Sequence, residues 1–202
     1  MRPKTFDQSQ ALEAAMFQFW EAGYEGSSMQ NLVDRMGISR QSLYDTFGNK
    51  RELFESALKR YREDVVESRL AIITDPALRP SEAIRNHLEV IASGVCDMPV
   101  GCLMVRTATE ISTDDSEIGA LLEECVHEVK RALVGVIERG QSLGEFDRSR
   151  SADELACSVI ATGMGLHVLR RLPNTGKSLR PSIDGLLAGL GVKPSDQVRA
   201  DH

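Results

Sequence analysis

Apolar residues recur along this chain at intervals of three, four and seven, the spacing of one face of an α-helix, and glycine, proline and Ser/Asp clusters divide it into about nine segments. The first helix is expected to begin near Asp7, to carry Leu12, Ala15, Met16 and Phe19 on one face, and to stop at Gly23. A short second helix follows Ser28, whose hydroxyl can cap the free amides of its first turn, with Leu32, Val33 and Met36 inward and Gly37 at its end. The third begins at Ser39 and runs SRQSLYDTF, with Leu43 and Phe47 as its buried pair and Gly48-Asn49 closing it. A longer helix is predicted from Lys50 to Ile73, with Leu53, Phe54, Ala57, Leu58, Tyr61 and Val65 on its apolar side, ended by the Asp75-Pro76 and Arg79-Pro80 breakers. Further helical segments fall at Ser81–Asp97, Cys102–Glu110, Asp115–Arg139, Ala152–Arg171 and Leu179–Leu190. No run of strand-like alternation competes with them, so the expected fold is all-α. It comprises a three-helix head over residues 1–50 and a larger helical domain over residues 51–202 that opens with a connecting helix over 51–73.

Composition agrees with that reading. The 202 residues are 42% hydrophobic, enough for a buried core, and only 5% aromatic, a low figure for an all-β chain. The net charge of −6 is unevenly spread: residues 1–60 carry eight basic and eight acidic groups, which leaves 16 and 22 for the remainder. Overall acidity opposes nonspecific coating of nucleic acid, but a neutral head can dock on DNA when its few cations share a face. The longest uncharged stretch, Leu155–Leu169, is shorter than the roughly 18 to 20 apolar residues of a membrane span, and MRPKTFDQSQ lacks the apolar core of a signal peptide. A cytoplasmic protein is expected. Cys96, Cys102, Cys125 and Cys157 follow no CxxC spacing, and His87, His127, His167 and His202 form no i,i+4 pair, so neither a disulfide framework nor a metal site is predicted, and no cofactor.

The chemistry is concentrated in SSMQNLVDRMGISRQSLYDTFGNK. Two short helices about a glycine turn have the dimensions of a helix-turn-helix. Leu32, Val33, Met36, Ile38, Leu43 and Phe47 suffice to pack such a unit, which leaves Arg40, Gln41, Ser42 and Tyr44 presented at the start of the second helix. That helix fits a major groove, where arginine bonds guanine bidentately and glutamine does the same to adenine. Ser28 and Ser39 leave helix N-termini pointing at phosphate, and Lys50 adds a cation. Two other readings of the same residues stay open: a helical corner that binds protein, and a thiol enzyme. No nucleophile, base and orienting group share a recognisable spacing, so an enzyme is not expected.

Across FWEAGYEGSSMQNLVDRMGISRQSLYDTFGNKRELFESAL the chain also resembles the TetR/AcrR family of bacterial transcriptional regulators, with Gly37, Leu43-Tyr44, Phe47 and Lys50 all in register. The resemblance implies a sequence-specific DNA-binding regulator and, most often, a repressor. Such a repressor is a homodimer through its two C-terminal helices and is released from a pseudo-palindromic operator by a small-molecule effector. It further implies that Ser28 and Gln30 touch the backbone or groove edge, Arg40, Gln41 and Tyr44 the bases and phosphates, and Lys50 a phosphate, with Thr46 a lesser contact. Asn31 departs from the acidic residue many members carry there.

The PVGCLMVRTATEI stretch resembles members with Gly-Cys-Leu at this place, some of which use the cysteine as a redox or electrophile sensor. The plainer reading of Cys102 is a small buried hydrophobe at a helix start. The free amides of a first helical turn, with Arg106 one turn on, nevertheless make it the candidate reactive thiol, and a redox-sensing regulator the alternative function. Cys125 and Cys157 are expected to be structural. Met98, Cys102, Met104, Val105 and His127 are the candidate effector-pocket residues. Small residues at Ala161, Gly163 and Gly165, with Ile183, Leu186, Leu187 and Leu190 of the last helix, suit a dimer interface.

Overall fold

The computed structural model describes residues 6–95, 98–111, 116–172 and 179–192. Ten α-helices occur among the described residues, with no strand: α1 Gln8–Gly26, α2 Met29–Met36, α3 Arg40–Phe47, α4 Lys50–Tyr61, α5 Glu67–Thr74, α6 Pro80–Ser93, α7 Leu103–Glu110, α8 Ser116–Leu143, α9 Ala152–Leu169 and α10 Arg180–Gly189. The expected helices are present and the fold is all-α. Cys96 and His202, and the end of the segment expected at Ser81–Asp97, lie outside the described residues.

Local signals set most boundaries. Asp7 caps α1 by accepting from the amides of Ser9 and Gln10. Gly23 does interrupt α1, at φ 81, but three more residues follow in helical register. The expected Lys50–Ile73 helix is α4 and α5 joined by a π-helical turn over Arg62–Val66. Nothing in the spacing of apolar residues foretells that turn, because widening a helix by one residue leaves both flanking faces apolar. Gly94, at φ 78, ends α6 after Ser93, and Gly144, also at φ 78, lets α8 run four residues beyond Arg139.

The chain forms two compact units, residues Met1–Val66 with Cys102–Glu123 and residues Glu67–Gly101 with Glu124–His202. In the first, α1 packs on α2, α4 and α7. Its core includes Phe19, Trp20, Leu32, Leu43, Leu53, Phe54, Leu58 and Tyr61, each almost fully buried. Edge-on ring contacts fix α1 against α4: Phe19 meets Phe54 at 4.8 Å and Trp20 meets Tyr61 at 4.7 Å. Each such side chain contributes about 1.5 to 3 kcal/mol by leaving water. The head expected over residues 1–50 lies within this unit, and α4 and α7 complete its packing.

In the second unit α6 packs on α5, α9 and α10. Ile84, Leu88 and Ile91 of α6, Leu133 and Ile137 of α8, Leu155, Val159 and Leu166 of α9, and Ile183, Leu187 and Leu190 form its core. Gly163 faces this interior: a Cβ there would make ordinary contact with Ile91 and Leu88 at 3.5 and 3.7 Å, so the position belongs to the packing of α6 on α9 within one chain. Helix α9, at mean hydropathy 1.2, is long and apolar enough to cross a membrane by length and composition, and its Leu155, Ala156, Val159, Gly163, Leu166 and His167 are buried in the core. Cys125 is buried as a structural cysteine should be, whereas Cys157 is exposed on α9. That difference is one of helical phase, since Leu155, Ala156 and Val159 occupy the core face.

Candidate nucleic-acid interface

Helices α2 and α3 are capped and joined through a tight turn by backbone chemistry, in the order of a helix-turn-helix. The Ser28 hydroxyl accepts from the Asn31 amide at 3.1 Å and also contacts the Asn31 side-chain oxygen. Gly37 adopts the left-handed conformation, φ 66 and ψ 27, and its amide and that of Ile38 both donate to the Val33 carbonyl, which satisfies the end of α2 and turns the chain. The Ser39 hydroxyl then accepts from the Ser42 amide at 3.0 Å and lies 2.8 Å from the Ser42 hydroxyl. Leu32, Met36 and Leu43 are buried, and the unit is anchored from its apolar side.

The polar side of α3 faces solvent. Ser39, Arg40, Gln41, Tyr44 and Asp45 are exposed, and Ser42 and Thr46 are half-buried. Tyr44 keeps 46% of its surface accessible, which marks an amphipathic ring without a home in the core. The Gln41 amide donates to Asp45 at 2.7 Å, and on α2 the exposed Gln30 amide donates to Asp34 at 2.8 Å, so both side chains are aligned along their helices by an i,i+4 partner.

Cations of this unit fall into two groups. Arg35 forms a forked pair with Glu21, one arm at 2.8 Å, and this pairing raises the arginine and holds the Glu21 carboxyl below its ordinary range. Arg51 is paired with Glu55 and Arg60 with Asp64. Arg40 has no carboxylate partner among the described residues, and Lys50 sits 4.3 Å over the Tyr24 ring. Arg40 and Lys50 thus place positive charge available to an external anion at the two ends of α3. Tyr24 is the residue that spacing alone overlooks; its place after the Gly23 break is the signal that could have found it. Asn49, expected only to close α3, caps α4 by accepting from the amides of Arg51 and Glu52, while Glu52 accepts from the Asn49 amide.

The candidate effector residues are less concentrated. Cys102, Met104 and Val105 belong to the first unit and Met98 and His127 to the second; Cys102 and Met104 are buried, Met98 and Val105 half-buried, and His127 exposed on α8. A cleft of about 460 Å³ in the second unit is lined instead by Ile72, Asp75, Leu78, Asn86, Glu89, Val90 and Ser93. Cys102 precedes α7 at its N-cap position, and the Tyr61 hydroxyl donates to its sulfur at 3.3 Å. The expected neighbour Arg106 is engaged elsewhere, donating to Glu110 at 2.5 Å and to the carbonyls of Glu21 and Ala22 at 2.8 and 2.7 Å. Among the described residues, no group of three or more His, Cys, Asp or Glu side chains is placed to hold a metal ion.

Comparison with known proteins matches residues 11–57 to the model of bacterial regulatory proteins of the tetR family and residues 80–185 to that of the tetracyclin repressor-like C-terminal domain. The HTH-type transcriptional repressor ComR of Escherichia coli is 29% identical over 194 residues, which span 90% of this chain and 92% of ComR. The HTH-type transcriptional regulator YezE of Bacillus subtilis is 34% identical over 151 residues, 72% of this chain and 76% of YezE. A cysteine mutant of the TetR family regulator CifR, solved with 26-bp double-strand operator DNA, superposes at a TM-score of 0.81 and 28% identity, covering 94% of this chain and all of that one.

Proposed function

The chain belongs to the TetR family of bacterial regulatory proteins, and on that premise we propose that it is a cytoplasmic, homodimeric repressor whose paired α3 helices read a pseudo-palindromic operator until a small-molecule effector releases them. The observation that carries this reading is the face of α3: Arg40 without a carboxylate partner among the described residues, Gln41 and Tyr44 exposed beside it, and the Ser39 cap at the same end. Arg40 and Gln41 address base edges, Tyr44 a base or phosphate, and Ser28, Gln30, Ser39, Ser42, Thr46 and Lys50 the phosphate backbone and groove edge. The protein acts by binding and not by catalysis.

A dimer through α9 and α10 is supported by the outer face of α9. Met164 and Val168 are 40% and 49% exposed, with Gly165 open beside them. Two heads on a two-fold axis would read half-sites about 34 to 36 Å apart or a multiple of that. An effector that prefers the other head spacing by about 1 to 3 kcal/mol weakens operator binding roughly 5- to 150-fold.

The second reading, a redox or electrophile sensor acting through Cys102, is favoured by one observation, the hydroxyl of Tyr61 against the buried sulfur. Selection of sites from a random duplex pool, repeated with Arg40→Ala and Tyr44→Ala, tests the primary proposal. An enriched inverted repeat lost in both variants is expected, and selection of no sequence at all would overturn it. Cys102→Ser separates the two readings, since a pocket-gated repressor keeps its response and a thiol sensor does not.

A further inference from the structure

Within the second unit the half-buried Arg69 and Arg170 lie against the buried imidazoles of His87 and His167. Arg69 of α5 donates to Nε2 of His167 on α9 at 3.2 Å. Because a guanidinium only donates, Nε2 accepts, and the proton of the neutral imidazole is on Nδ1. That Nδ1 is buried and has no hydrogen-bond partner among the described residues; Nδ1 of His87 on α6 is likewise buried and unpartnered among them, while the His87 ring hydrogen-bonds the main chain of Arg69. Arg170, which follows α9, donates one arm to the Ile91 carbonyl at 3.1 Å, and its guanidinium fills the space a Cβ at Gly94 would occupy.

No carboxylate among the described residues pairs with Arg69 or Arg170. Among the described residues, the groups that act electrostatically on His167 are Arg69, Arg170 and His87, none of them acidic. Burial first, and then Arg69, push His87 and His167 down to about 4 and about 3, so both rings are neutral donors or acceptors near neutral pH. The Arg170 guanidinium is likewise lowered, by burial and by Arg69. A buried donor without an acceptor loses its hydration without return, and two guanidiniums without an anion repel one another. Leu88, Ile91 and Leu166 belong to the apolar core of the same unit.

We propose that Arg69, Arg170, His87 and His167 form a binding site for the carboxylate of a small organic acid, which rests on the effector-released reading above and assigns its effector a chemical class. The planar anion matches the guanidinium fork and accepts from the stranded imidazole donor. A monoanion with an apolar body suits a site beside this core better than a phosphate dianion, whose desolvation is costlier.

The test uses the full chain. Acetate, benzoate and octanoate are titrated at constant ionic strength against chloride and inorganic phosphate, and binding is followed by calorimetry and by the nitrogen resonances of the four imidazoles. Saturable binding of at least one carboxylate is expected, moving the His87 and His167 signals and leaving His127 in place. Arg69→Gln and Arg170→Gln should weaken it about tenfold or more. Arg170→Lys, which keeps the charge but loses the fork, should be intermediate, and it serves if a glutamine variant fails to fold by circular dichroism. No saturation by any of the three acids, an equal response in the variants, or binding of phosphate alone overturns the proposal. Operator affinity is measured separately. Specific DNA binding without carboxylate binding overturns this site and leaves the repressor reading standing, whereas carboxylate binding without specific DNA binding does the reverse.

Discussion

The carboxylate of Glu110 accepts the main-chain amide of Tyr24 at 3.1 Å, joining residues 86 positions apart at the point where α1 breaks. Arg106 braces the same carboxylate and takes the two carbonyls just before the break. Gly23 is required there twice over, by its φ of 81 and because a Cβ would fall on the Glu110 carboxylate and the Arg106 guanidinium. Gly23→Ala is therefore expected to destabilise the protein by about 1 to 3 kcal/mol, more than an ordinary surface substitution. Urea unfolding measures it, and an unchanged midpoint would show that the break tolerates a side chain.

On α3, the carboxylate of Asp45 holds the Gln41 amide on the solvent face. Asp45→Asn removes a negative charge from the side proposed to meet phosphate. Operator and nonspecific affinity should both rise, by up to about 1 kcal/mol at low salt and less at high salt. Arg40→Ala should cost about 1 to 3 kcal/mol and relax preference at one base position. Fluorescence anisotropy at two salt concentrations distinguishes them; equal effects on all sequences from Arg40→Ala would make it a phosphate contact.

Stability should fall on mild acidification. The unfolded chain protonates its histidines near 6.5, whereas the native chain resists protonation until about pH 4 at His87 and about pH 3 at His167. The stabilisation is thus complete above about 6.5 and is lost as pH falls below it, at about 1.4 kcal/mol per pH unit for each group. His167→Gln should make the dependence of unfolding free energy shallower between about pH 6 and 4.5. A slope identical to that of the unsubstituted protein would mean that His167 titrates normally when folded.

Met164 and Val168 offer a check on assembly. Met164→Arg places charge on the exposed apolar face of α9 without entering the core. Light scattering should then give the single-chain mass of 22.3 kDa in place of twice that, with loss of tight binding to an inverted repeat. Retention of the dimer mass would move the interface elsewhere.

Much of this protein is determined by short-range pattern. Ser28, Gly37 and Ser39 announce the two helices of the reading head because capping and the left-handed turn involve only residues a few positions apart, and the same locality exposes Arg40, Gln41 and Tyr44 once Leu43 is assigned to the core. The all-α fold follows from apolar periodicity for the same reason. Tertiary structure alone decides what depends on distant partners. It takes Arg106 away from Cys102 to serve Glu110, assigns Gly163 to the packing of α6 on α9, and sets Lys50 over Tyr24. Above all it brings the half-buried Arg69 and Arg170 against the buried His87 and His167. Residues so far apart in sequence share no periodicity, and the cluster they make exists only after the chain has folded.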